Sequence, residues 1–95
     1  MRTVWKYLIY PETFTISVPD SAILRHVEAK GNEPFMWLEV DTDKAHKTRT
    51  FRAFATGESL DKYPAHLEYC GSFLLEKDTL VFHLYEIIEF ITEVD

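Results

Sequence analysis

The sequence predicts a mainly β domain: an antiparallel β-sandwich or small barrel of six to seven strands, with one short C-terminal helix as the alternative to a last stretch of strand. Three observations carry this reading. Apolar and polar residues alternate with a period of two over short runs. Those runs are rich in Val, Ile, Thr, Phe, Tyr and Trp, which suit a pleated, half-buried surface. Clusters of Gly, Pro, Asn and Asp separate them and supply the turns.

The first two candidate strands, 2–9 and 13–18, end at Pro11 and at Pro19-Asp20-Ser21, where the chain lacks a ladder donor. Candidates 23–29 and 35–41 flank Lys30-Gly31-Asn32-Glu33-Pro34, a polar turn that suits a hairpin. In the second of these, Met36, Leu38 and Val40 share one face and Phe35, Trp37 and Glu39 the other. Residues 41–46 lead into candidate 47–55. There Phe51, Ala53 and Ala55 lie beside Arg49, while Thr48, Thr50, Arg52 and Phe54 take the opposite face. Large apolar groups on both faces fit strands that curl into a barrel or present one face to a partner, with Trp5 and Trp37 as anchors.

The connection 56–66 is the longest and leaves room for one helical turn over residues 60–63. Candidates 67–75 and 79–87 form the firmest hairpin, across Glu76-Lys77-Asp78, with Leu67, Tyr69, Gly71 and Phe73 placed on one face. The tail reads two ways. Leu84, Ile87, Ile88, Ile91 and Val94 fit a helical face opposite Glu86, Glu89 and Glu93, whereas Ile87-Ile88 and Phe90-Ile91 suit a strand. The helix is the expected form.

One domain is expected over residues 1–95, because no repeat, low-complexity tract or Gly/Ser linker divides the chain. Its 46% hydrophobic and 15% aromatic content supplies a core without metal or disulfide staples. A single cysteine, Cys70, excludes an internal disulfide framework and suits a reducing cytosol. Polar residues interrupt the apolar positions after Met1, so no signal-peptide core forms. No apolar run approaches the roughly 18 residues of a membrane span. Ten basic and sixteen acidic residues give a net charge of −6, which disfavours general nucleic-acid binding. The charge is uneven, with Lys44, Lys47, Arg49 and Arg52 in one segment and Glu86, Glu89, Glu93 and Asp95 in the tail.

No chemistry stands out. His26, His46, His66 and His83 show no His-x3-His spacing and the chain has no Cys-x2-Cys, so neither a metal site nor a cofactor is expected. Cys70 and His83 have compatible parity across the last hairpin, but no third group orients a base, and a buried small hydrophobe is the expected role for the thiol. Glu39 and Asp41 share a strand face, which a solvated edge explains as well as acid–base chemistry does. Gly31, Gly57 and Gly71 make no phosphate-cradling loop. No catalytic residue is assigned, and a non-enzymatic protein is expected. The candidate ligand- or partner-binding residues are Lys47, Arg49 and Arg52, whose basic groups suit carboxylate or phosphate, with Trp37 and Tyr85 as aromatic neighbours. Against this stands cross-strand pairing of the basic segment with Glu39 or Asp41.

Several segments together resemble a group of small uncharacterised proteins of tailed phages and prophages. They are Trp5-Lys6-Tyr7, Trp37, Arg49-Thr50-Phe51-Arg52, Thr56-Gly57, Leu67-x-Tyr69-x-Gly71-Ser72-Phe73 and Leu80-Val81-Phe82-His83-Leu84-Tyr85-Glu86. The resemblance covers residues 3–86, and the last two motifs are the most specific. It implies a β-rich single domain in a phage context, with no catalytic residues to carry over, and it makes residues 87–95 a C-terminal extension. The expected function is therefore that of a phage accessory protein in the host cytoplasm. It would be homo-oligomeric and bind without turnover, counteracting a host defence or regulatory factor by blocking a host protein or sequestering a small anionic ligand. The competing expectation is an assembly protein that forms a homo-oligomer or docks on a virion component.

Overall fold

In the computed structural model, which describes residues 1–90, seven antiparallel strands build two facing sheets. The strands are β1 (Arg2–Leu8), β2 (Phe14–Pro19), β3 (Ile23–Lys30), β4 (Glu33–Asp41), β5 (His46–Ala55), β6 (Ala65–Leu75) and β7 (Leu80–Phe90). One sheet has the order β1-β4-β3 and the other β2-β5-β7-β6, so the fold is a β-sandwich. Alternation in the sequence and strands in the structure coincide within a few residues at every element. Among the described residues no helix is long and apolar enough to cross a membrane.

The core fills the space between the sheets. Met36, Leu38 and Val40 of β4 meet Phe14, Ile16 and Val18 of β2, Phe51 and Ala53 of β5, Phe73 of β6 and Leu84 of β7. Met36, Leu38, Val18, Phe51 and Leu84 have no accessible surface. A phenylalanine buried in this way is stabilised by roughly 1.5–3 kcal/mol relative to an exposed one.

Two bulges decide which side chains join that core. In β3 the register against β4 shifts between Leu24 and His26, so Leu24 pairs with Leu38 on the inner face while His26 pairs with Trp37 on the outer. In β6 it shifts between Tyr69 and Gly71: Tyr69 lies opposite Tyr85, whereas Gly71 lies opposite Leu84. The extra residue reverses the parity of everything beyond it. Leu67 and Tyr69 therefore face outward while Gly71 and Phe73 face the core, which corrects the single face expected for all four.

The sandwich is drawn together along both flanks. Gly71 lies against Val27 so closely that a Cβ would sit 3.0 Å from the valine's own Cβ, which keeps β6 tight on β3. On the other flank the Tyr7 hydroxyl donates to the Ser17 carbonyl at 3.3 Å, joining β1 to β2. At one end the hairpin turn of β3 and β4 has positive φ at Gly31, the first central residue, as a II′ turn requires. Its Asn32 accepts from the Glu76 amide and donates to the Glu76 carboxylate, both at 2.8 Å. This contact secures a β6–β7 turn in which Glu76, Lys77 and Asp78 all have positive φ, an uncommon state for residues with a Cβ.

Three further expectations change. Residues 60–63 make one turn, closed by Tyr63 N–H donating to the Leu60 carbonyl at 3.2 Å, and no helix. β4 and β5 belong to different sheets, so the basic segment does not lie beside Glu39 and Asp41. Glu39 instead holds Arg2 and Arg25, and Asp41 holds the N-terminal ammonium. Finally, residues 84–90 continue as strand, because β7 sits between β5 and β6 and its ladder places Ile87 opposite Thr50 and Leu67. Pairing on both sides outweighs the helical spacing. The Ile91 and Val94 part of that expected helix lies outside the described residues.

Candidate functional site

The candidate residues occupy four separate places. Arg52 and Tyr85 stand on the outer face of the four-stranded sheet, where they pair directly in the ladder. That face is covered by residues 56–64. Phe54 is 1% exposed although it lies outside the main core, because Tyr63 and Tyr85 both meet its ring edge-on at 5.7 Å. The Arg52 guanidinium lies 4.7 Å from the Phe54 ring and 5.0 Å from Tyr63, and donates to Glu58 at 2.9 Å. Glu58 also accepts from the Ala55 amide and from Lys62. Lys62 first, then the Ala55 amide, hold its carboxyl below the usual glutamate range. Arg52 is thus committed within the chain.

Arg49 lies between the sheets. Its Nε and Nη2 donate to the two oxygens of Glu86, both at 2.7 Å, and Nη1 donates to the Ala22 carbonyl at 2.6 Å. All three guanidinium nitrogens are engaged, and the Glu86 hydrogen bonds raise the guanidinium's proton affinity further. Cys70, the extra residue of the β6 bulge, borders the same cleft with Glu68 and Glu86. Burial first, then the Glu86 charge, push its thiol up to about 11. Its Sγ donates to the Glu68 carbonyl, whereas His83 bonds Ser72 and Thr56 on the outer face. The structure therefore does not make a Cys70–His83 pair. Lys47 stands apart at the end of β2, where it meets Asp20 at 3.3 Å.

His83 belongs to a chain of hydrogen bonds. Thr56 donates its hydroxyl proton to the Val81 carbonyl, so it accepts from His83 Nε2 at 2.8 Å. Nδ1 lies 2.7 Å from the Ser72 hydroxyl, and that hydroxyl lies 2.7 Å from the hydroxyl of Tyr69. The chain ties β6 and β7 to the start of the covering segment.

Trp37 stands on the opposite side of the molecule, on the outer face of the three-stranded sheet. Lys6, Trp37 and His26 form one row across β1, β4 and β3. Phe35 is 6.2 Å from Trp37 and His26 5.3 Å, ring centre to ring centre. Lys6 Nζ lies 4.5 Å from the Phe35 ring and Lys30 Nζ 6.0 Å from the Trp37 ring. His26 pairs with Glu28, and Arg2 and Arg25 pair with Glu39, whose carboxyl they hold below its usual range. Lys6 and Lys30 pair with no carboxylate among the described residues. Val4 and Ile23, 54% and 46% exposed, extend the apolar surface toward both edges.

Sequence reasoning placed Phe35 and Trp37 together on one face but missed Lys6, His26 and Lys30. These come from strands whose neighbours the sequence does not name. Glu86, the partner of Arg49, was missed for the same reason, and Glu58, the partner of Arg52, because the path of the 56–64 connection is not written in a local period. Among the described residues no group of three or more His, Cys, Asp or Glu side chains could hold a metal ion.

Fold and surface together define a two-sheet antiparallel β-sandwich with one covered sheet face and one open aromatic face. The family model described as "Domain of unknown function (DUF7352)" matches residues 1–93, and the chain belongs to that family. The match and β7 both continue past Glu86. No curated protein and no solved structure matches the chain.

Proposed function

We propose that this chain is a non-enzymatic binding protein that grips an acidic surface of another protein with the outer face of its three-stranded sheet. The observation that carries this is the cluster of Phe35, Trp37 and His26, flanked by two lysines that have no carboxylate partner among the described residues and covered by no other described segment. Partly exposed aromatics beside cations are the side chains that dominate binding energy at interfaces. Lysine ammoniums resting on ring faces favour a carboxylate-bearing partner over a neutral one. The resemblance to small phage and prophage proteins supports a host protein as that partner, met in the host cytoplasm, with interference in a defence or regulatory process as the outcome. Arg49 and Arg52, each already held by a carboxylate, contribute to the fold rather than to the grip.

The test is affinity capture from host lysate, followed by binding of the purified partner to wild type, to Trp37→Ala and to a Lys6→Glu/Lys30→Glu double variant. A partner whose affinity drops at least about tenfold with each variant supports the proposal. Capture that is indifferent to both variants, or turnover of any substrate, overturns it.

A homo-oligomeric assembly role is the second reading, favoured by the unpaired edge of β1. That strand keeps unbroken register with β4 over seven residues and has no bulge or proline, the devices that protect edges. Light scattering that finds only monomer up to millimolar protein would remove it.

A further inference from the structure

At the end of the sandwich where the β3–β4 and β6–β7 turns meet, a cavity of about 250 Å³ lies between the two sheets. Its depth comes from Ala53, a small residue on the inner face of β5 where Phe51 precedes it in the same row. One wall is aromatic: the Phe73 and Phe82 rings lie 17° from parallel with centres 5.7 Å apart, leaving a ring face or edge to the cavity. The facing wall is Ile9 and Pro34, and the rim carries Asn32. Native interiors contain few voids larger than a water molecule, so an opening of this size with apolar walls is a feature of the sequence.

The lining specifies an occupant. An apolar cavity of roughly 150 Å³ accepts benzene, and this one has room for a bicyclic ring. It falls short of the roughly 300 Å³ at which pockets for larger molecules begin, which excludes a long acyl chain. An aromatic wall favours an offset-stacked or edge-on ring over a branched aliphatic group. Asn32 supplies one polar contact. Glu76 takes one of its two N–H groups and one of the two lone pairs on its carbonyl oxygen, leaving a donor and an acceptor on a side chain already fixed in place.

We propose that this cavity binds a small planar aromatic molecule with one hydrogen-bonding group, its ring along the Phe73–Phe82 wall and its polar group on Asn32. The site is independent of the Trp37 face, which points away from the sandwich interior. Isotope-labelled protein titrated with indole, toluene and the tripeptide Gly-Trp-Gly tests the proposal. Indole should shift the amides of Ala53, Phe73 and Phe82 and the Asn32 side chain saturably, with a Kd on the order of 0.1–1 mM. Toluene should bind at least about fivefold more weakly, because it leaves Asn32 unused. Ala53→Leu, which places three more carbons in the space, should weaken indole at least about tenfold while the protein stays folded, and Ala53→Val supplies a smaller filling. Absence of saturable shifts with indole overturns the site, as does equal binding by wild type and by whichever filled variant remains folded. Equal affinity for toluene overturns the role of Asn32. Saturation by the tripeptide without saturation by indole overturns the small-molecule occupant in favour of a partner's side chain.

Discussion

The outer faces of the two sheets start from similar chemistry and end differently. β5 sends Arg52 and Phe54 outward, and β4 sends Phe35 and Trp37 outward, so each face receives aromatic rings with cations beside them. On the four-stranded sheet, residues 56–64 fold back, seat Tyr63 on Phe54 and clamp Arg52 with Glu58. On the three-stranded sheet the corresponding turn is only Gly31-Asn32, too short to cover anything. An outward aromatic is therefore part of a second small core in one place and a surface in the other. The length of the neighbouring connection decides which.

The sharpest way to break this contrast is to truncate one aromatic on each face. Phe54→Ala should destabilise by about 3–5 kcal/mol in urea unfolding, as expected for a buried phenylalanine, whereas Trp37→Ala should cost less than about 1.5 kcal/mol. Equal costs would mean that the two faces are equally covered.

The interior between the faces supplies the next effect. With its thiol at about 11 against an ordinary 9.0, Cys70 carries far less thiolate than a free thiol at pH 8. Iodoacetamide should modify it roughly 100-fold more slowly than in urea-denatured protein. The linkage follows from the sign. The folded thiol keeps its proton where the unfolded one loses it, so this group's contribution to stability is intact below pH 9.0 and declines toward pH 11. An alkylation rate that does not change on denaturation would show that Cys70 is open to solvent.

A smaller effect concerns the cover itself. Arg52→Ala removes a cation seated between two rings and leaves Glu58 with Lys62 and the Ala55 amide. It should cost about 1–2 kcal/mol and speed hydrogen exchange at Tyr63 more than at Met36. The smallest is acid loosening. Because Glu58 is held below its ordinary range, its stabilising contribution is present above that range and fades as pH falls through the lowered value. Exchange at Ala55, whose amide donates to Glu58, should rise there in wild type and lose that pH dependence in Glu58→Gln.

Several of these features were legible in the residues. The alternation of Met36, Leu38 and Val40 against Phe35 and Trp37 separated the two faces of β4 as the structure has them, and the tertiary structure decided that the first set is the core side. The Glu76-Lys77-Asp78 connection marked its hairpin. Phe51 and Ala53 were grouped on one face of their strand and Arg52 and Phe54 on the other, and the structure turns the first group inward. Arg49 shows where such reading stops: its place on the face of Phe51 and Ala53 was visible, but its partner Glu86 was not, because β7 and not β4 lies beside β5.

The sequence by itself determined the seven strands, most of their turns and which residues of each regular stretch share a face, since strand alternation and turn preference are written over a few neighbouring residues. Tertiary structure alone decided the order of strands in each sheet and the reversals of face at Arg25 and Cys70. It also decided the covering of one aromatic face and the exposure of the other. Each of these rests on contacts between residues far apart in the chain, and a local period of two is the same whichever strand comes to lie alongside.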